Sequence, residues 1–115
     1  GRAAERVDTL AEHKSRQVNQ QVRFEWDARK AASNLRKHGV SFPDALTVFA
    51  DPLARIHADP DHSVGESREI IIGQAANGQL LLVSFVERED SLRLISARRA
   101  TLRERHEYEE AINQT

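Results

Sequence analysis

The chain has 115 residues, 39% of them hydrophobic and 30% charged, which allows one compact domain with a modest core and leaves no room for a second. Its 17 Lys and Arg stand against 18 Asp and Glu, for a formal net charge of −1, so a uniformly basic nucleic-acid-binding surface is excluded and any RNA site must come from local clustering. The absence of cysteine excludes disulfides, thiol catalysis and thiolate metal sites.

Residues 1 to 21 are polar and charged, and Val7, Leu10, Lys14 and Val18 fall at roughly helical spacing. They read as an N-terminal extension, helical or disordered, ahead of a domain spanning 22–115. A charged start without a following apolar run, and no apolar stretch near the ~20 residues that span a bilayer, lead to the expectation of a cytoplasmic protein with no membrane contact.

A strand is predicted at Val22–Trp26. Asp27 then offers an N-cap oxygen to a helix running to His38, with Gly39 as its C-cap. Ala28, Ala31, Ala32 and Leu35 form the apolar stripe of that helix, and Arg29, Lys30, Arg36 and Lys37 its basic flank. Ser41 and Asp44 open a second helix that buries Ala45, Leu46 and Phe49 and stops at Asp51-Pro52.

The period then changes to that of strands, at Leu53–Ala58, Arg68–Gln74, Leu80–Glu87 and Leu92–Arg98. Asn77-Gly78 is a hairpin signal, and Glu89-Asp90-Ser91 a second turn. Thr101 and Glu104 form a capping box for a last helix ending near Asn113. The order is β-α-α-β-β-β-β-α, an α+β domain with a mainly antiparallel sheet of four to five strands. Short connections suggest helices packed on one side and one sheet face left free.

Three runs carry a family resemblance: Phe24 to Phe42, with its F-x-W-D, N-L-x-K-H-G and S-F elements; Glu66-Ser67-Arg68 leading into Ile72-Gly73; and Arg93 to Thr101 followed by Glu104-Arg105 and Tyr108-Glu109. Together they closely resemble the BrnT toxin family, over about Arg23 to Glu109. The resemblance implies a RelE-like fold and a metal-independent endoribonuclease that halts translation, without a cofactor. It further implies a partner antitoxin with a ribbon-helix-helix DNA-binding part, in a heteromeric complex.

Cutting RNA without a metal requires the 2′-OH to attack the adjacent phosphate, so a site must accept a proton, return one and stabilise a doubly charged phosphorane. Within the matching motifs Arg68 and Arg98 sit on predicted strands and suit the last task, because guanidinium binds two phosphate oxygens and stays charged. The plainer account is a solvated strand arginine paired with Glu66, Glu69 or Glu87. His38 is a proton-transfer candidate and equally a helix-capping residue; Glu66 and Glu87 are alternative bases.

Lys30, Lys37 and Arg88 would extend a positive groove for the RNA backbone, unless the lysines are simply a solvated helix face. Trp26, the only tryptophan, would stack on a base or pack in the core. His57, Asp59, Asp61 and His62 hint at a metal. The calcium-loop pattern fails, since its sixth and twelfth positions are Val64 and Ile70, and no metal site is expected. The alternative to an enzyme is a non-catalytic module that binds a partner protein through its free sheet face or N-terminal arm.

Overall fold

The computed structural model describes residues 22–59 and 67–114. Strand β1 (Arg23–Glu25) leads to helix α1 (Ala28–His38) and the short helix α2 (Phe42–Leu46), which tightens into a 3₁₀ turn at Thr47–Ala50. Strands β2 (Arg55–Ala58), β3 (Arg68–Gln74), β4 (Leu80–Arg88) and β5 (Ser91–Arg99) follow, and helix α3 (Leu102–Asn113) comes last. The α+β order and the strand positions agree with the sequence reading to within two residues. The N-terminal extension lies outside the described residues.

The strands form one sheet in the order β1-β5-β4-β3-β2. Three pairings are antiparallel; β1 joins β5 in parallel, with Phe24 opposite Leu92. That parallel edge is possible because α1, α2 and the β2–β4 meander all lie between β1 and β5, so the chain can return to the same end of the sheet.

Local chemistry sets the boundaries. Asp27 Oδ1 accepts from the N–H groups of Arg29 (2.8 Å) and Lys30 (3.1 Å), occupying donors that the first helical turn leaves free. Gly39, at φ 71°, ends α1 in the left-handed conformation that glycine adopts without strain. The second helix is not continuous: the Thr47 hydroxyl donates to the Asp44 carbonyl (2.7 Å) and accepts from Ala76 N–H (2.8 Å), and the chain continues in the tighter 3₁₀ form.

The main core joins α1, α2 and the 3₁₀ turn to one sheet face through Phe42, Phe49, Val83, Phe85 and Leu94, all buried. Phe49 stacks at a tilt on Phe24 and edge-on against Phe85, each at 5.1 Å. Gly73 permits this closeness: a Cβ there would lie 2.8 Å from Ala54 Cβ and 3.1 Å from Val48 Cγ1.

Two expectations are corrected. Helix α1 docks through only one member of its apolar stripe: Ala28 and Ala32 are exposed, as is Leu35 at 50%. It docks through Ala31 and the buried Asn34, whose Nδ2 donates to the carbonyls of Val40 (3.0 Å) and Ala97 (2.8 Å) while Oδ1 accepts from Ala97 N–H (3.0 Å). Beyond Arg93 no described strand continues along this edge of β5, so the amide supplies the hydrogen bonds a neighbouring strand would have made.

Nor do all helices lie on one side. Helix α3 packs on the opposite sheet face, with Tyr108 on Ile72 and Leu80. The capping box at Thr101 reverses the chain directly after β5, and the Arg98–Glu104 pair fastens the new helix to the face that Arg98 occupies.

Candidate functional site

The register of β3, β4 and β5 places Arg68 and Arg98 on the same face of the sheet, the one that carries α3. Arg68 lies opposite Val86, which lies opposite Arg93; four residues along, Ile72, Leu82 and Arg98 form the corresponding row. Two strand spacings and four residues separate the two arginines by about 17 Å, so they do not converge on one phosphodiester. Arg98 is moreover committed: its guanidinium grips Glu104 through two parallel hydrogen bonds of 2.9 and 3.0 Å.

The other expected site residues are dispersed. His38 ends α1 and is exposed, with Lys30 and Lys37 exposed on the same helix. That helix packs on the core face through Ala31 and Asn34, so none of the three shares a surface with Arg68. Trp26 is half-buried against the core, with its ring edge-on to Phe42 at 5.7 Å. Arg88 is exposed at the end of β4, in the field of Glu25. Glu66, like Asp61 and His62, lies outside the described residues.

What the fold does assemble is a basic surface on the α3 side. In the row nearest α3, Arg55 of β2 stands opposite Ile72; in the next, His57 is opposite Ile70, Ile70 opposite Ser84, and Ser84 opposite Ser96; Arg68, Val86 and Arg93 form the third. His57 and Arg68 are diagonal neighbours across the β2–β3 ladder, with Cβ atoms about 7–8 Å apart. Arg68 and Arg93 flank Val86 at about 10 Å. Asp59, whose N–H donates to the Arg68 carbonyl (3.0 Å), brings one carboxylate to the same end of this surface.

Between this surface and α3 runs a half-open groove of about 600 Å³, a size typical of small-ligand sites. Ile72 and Leu82 are among the residues at its floor, Arg55 and His57 on the strand side, and Glu107 and Glu110 on the helix side.

Neighbouring carboxylates are held ionised by their surroundings. A hydrogen bond from the Ser91 hydroxyl (2.7 Å) and the charge of Arg93 lower the Glu25 pKa. The Arg98 fork brings Glu104 down to about 2 against a usual 4.5, helped by Thr101 N–H. Burial, followed by the 2.6 Å hydrogen bond that Tyr108 donates to Asp51 Oδ2, pushes the Tyr108 phenol up, so it stays protonated and anchors α3 to the end of the 3₁₀ turn.

Reading the sequence missed the placement of Arg55 and His57 together on this face. Their signal was the two-residue spacing inside a segment already predicted as a strand, which puts both side chains on one face. Grouping His57 with the following acidic residues obscured it. Among the described residues no cluster of three or more His, Asp or Glu is arranged to hold a metal, and no helix is long and apolar enough to cross a membrane.

No curated protein matches the chain. Its structure is similar to the 1.1 Å crystal structure of the Brucella abortus ribonuclease toxin BrnT, with a TM-score of 0.55 and 24% identity over 70% of this chain and 97% of the other. That likeness concerns the fold. The profile described as ribonuclease toxin, BrnT, of type II toxin–antitoxin system matches residues 26–104, a span that contains β1's last neighbour Trp26, the whole basic surface and the helix cap at Glu104. The chain therefore belongs to the BrnT family of type II toxin–antitoxin ribonuclease toxins.

Proposed function

We propose that this protein is a metal-independent endoribonuclease whose site is the basic sheet face beside α3. The observation that carries the reading is the placement of His57 and Arg68 as diagonal neighbours on the sheet face beside α3. An imidazole exchanges protons near neutral pH; a guanidinium stabilises phosphorane charge.

In the proposed reaction the ribose 2′-oxygen attacks phosphorus and its proton passes to a base. The P–O5′ bond then breaks, and the departing 5′-oxygen takes up a proton, leaving a 2′,3′-cyclic phosphate and a 5′-hydroxyl. His57 serves one of the two proton transfers, Arg68 bears the charge that builds on the phosphoryl oxygens, and Arg93 across Val86, bonded at 3.3 Å to Glu25, adds positive charge for the adjoining backbone. The role expected of Arg98 becomes a positioning one: bound to Glu104, it fixes the helix that forms the other side of the groove.

Such cleavage would inhibit translation by destroying RNA, and a cognate antitoxin with a ribbon-helix-helix part would silence it within a heteromeric complex. Family membership supports the presence of an antitoxin. The test is incubation of the purified chain with RNA in EDTA, with the new ends analysed. Defined cuts ending in 2′,3′-cyclic phosphate are expected. Intact RNA, or activity that depends on added divalent metal, would overturn the proposal, and intact RNA would favour a non-catalytic binding module.

A further inference from the structure

The groove beside the basic face shares His57 with the site just described, but the rest of its lining is unlike that of a phosphate site. Two carboxylates one helical turn apart, Glu107 and Glu110, look across it at Arg55, above an apolar floor that includes Ile72 and Leu82. Glu107 has only a loose, exposed contact with Arg103 at 3.8 Å, and such surface pairs hold a side chain weakly. Among the described residues Glu110 has no cation partner.

An RNA backbone cannot run along this helix side, because each phosphate would meet like charge at short range. A strand held by Arg68 and Arg93 would keep its phosphates on those arginines and turn a neighbouring base into the groove, where the apolar floor takes a base face and the polar sides meet its edges. Those sides are arranged as opposites: donors on the strand, acceptors on the helix. Among the bases, guanine matches this best. Its O6 and N7 accept, as the arginine fork requires, while its N1–H and N2–H₂ groups donate together toward a carboxylate. Uracil has no exocyclic amino group to offer the acid side.

We infer that the groove is a base-recognition subsite that selects guanine next to the cleaved bond, with Arg55 reading the O6/N7 edge and Glu107 and Glu110 the N1/N2 edge. The inference rests on the ribonuclease reading above and names the specificity of that same site.

Two measurements on the full chain test it. First, cleavage rates are compared on four short RNAs identical except for the base beside a single cleavable linkage, for the wild type and for the double variant Glu107→Gln, Glu110→Gln. The wild type is expected to favour guanine by about tenfold or more, the range of a good bidentate base contact, and the double variant to lose that preference. Cleavage without base preference, or a uniform loss at all four bases in the variant, would overturn the inference, the latter by making the carboxylates part of the chemistry. Second, titration with 5′-GMP followed by amide NMR is expected to shift the resonances of Ile72, Leu82 and Tyr108, with 5′-UMP leaving them in place. If the wild type cuts no RNA, the ribonuclease reading fails on the first measurement, and the guanine site stands or falls on the second: no shift with 5′-GMP would overturn it.

Discussion

Asn34 is the residue whose removal should be felt most relative to its size. Its side chain is buried at 6% exposure and satisfies three backbone groups, the carbonyls of Val40 and Ala97 and the N–H of Ala97. Asn34→Ala removes three hydrogen bonds worth about 1 kcal/mol each net, and it strands an N–H in the interior at an added cost, so a loss of about 3–4 kcal/mol is expected. That is a large part of the total for a domain of this size. Urea unfolding of the two proteins measures it directly, as a drop in midpoint at unchanged slope. Asn34→Asp keeps the acceptor for Ala97 N–H but sets a carboxylate oxygen against two carbonyls, and should cost no less at neutral pH. A loss below about 1 kcal/mol in the alanine variant would refute the reasoning, since it would mean that the edge of β5 finds other partners or water without the amide.

Three other perturbations follow from the same geometry. Glu104→Gln retains the capping-box acceptor and removes the charge opposite Arg98; because Arg98 is 39% exposed, the full shift is discounted to about 1–2 kcal/mol at pH 7. The Glu104 pKa is depressed in the folded state, so its contribution is complete above the ordinary 4.5 and disappears as pH falls toward about 2; thermal melts of variant and wild type should converge across that window, and a constant gap would contradict the assignment. Gly73→Ala should destabilise by about 1–3 kcal/mol, since its new methyl group would press on Ala54 and Val48, and a neutral result by calorimetry would show that the 3₁₀ turn yields. Arg98→Ala should lower stability by loosening α3; a variant as stable as the wild type would remove the positioning role given to Arg98.

Much of the fold was legible because its signals are local. Asp27, Gly39, Ser41, Thr101 and Asn77-Gly78 act on backbone groups within a few residues, and the strands carry their alternation with them. What was not legible depends on distant partners. The inward face of α1 is set by an asparagine bonded to a residue 63 positions away, so a rule that buries the apolar stripe points the helix the wrong way. Placing α3 on the far face required knowing that Arg98 and Glu104 meet across the turn, which neither residue announces alone.

The site divided in the same manner. Arg68 was a candidate through its motif, whereas its convergence with Arg98 depended on register, and register puts them two strands and four residues apart. Lys30, Lys37 and His38 read as basic neighbours of the site in a linear sequence, yet the sheet stands between them and Arg68. His57 had a detectable position in the strand pattern, but its place diagonal to Arg68 comes from the β2–β3 pairing.

The account turns on the basic sheet face being where RNA is cut, and rates of cleavage in EDTA by four proteins address this most directly: wild type, His57→Ala, Arg68→Ala and Lys37→Ala, each checked for folding by circular dichroism. His57→Ala and Arg68→Ala should each slow cutting by about a hundredfold or more, with Lys37→Ala within a few-fold of wild type. Undiminished cutting by both sheet-face variants, or a collapse confined to Lys37→Ala, would place the reaction on the opposite side of the molecule and contradict the account.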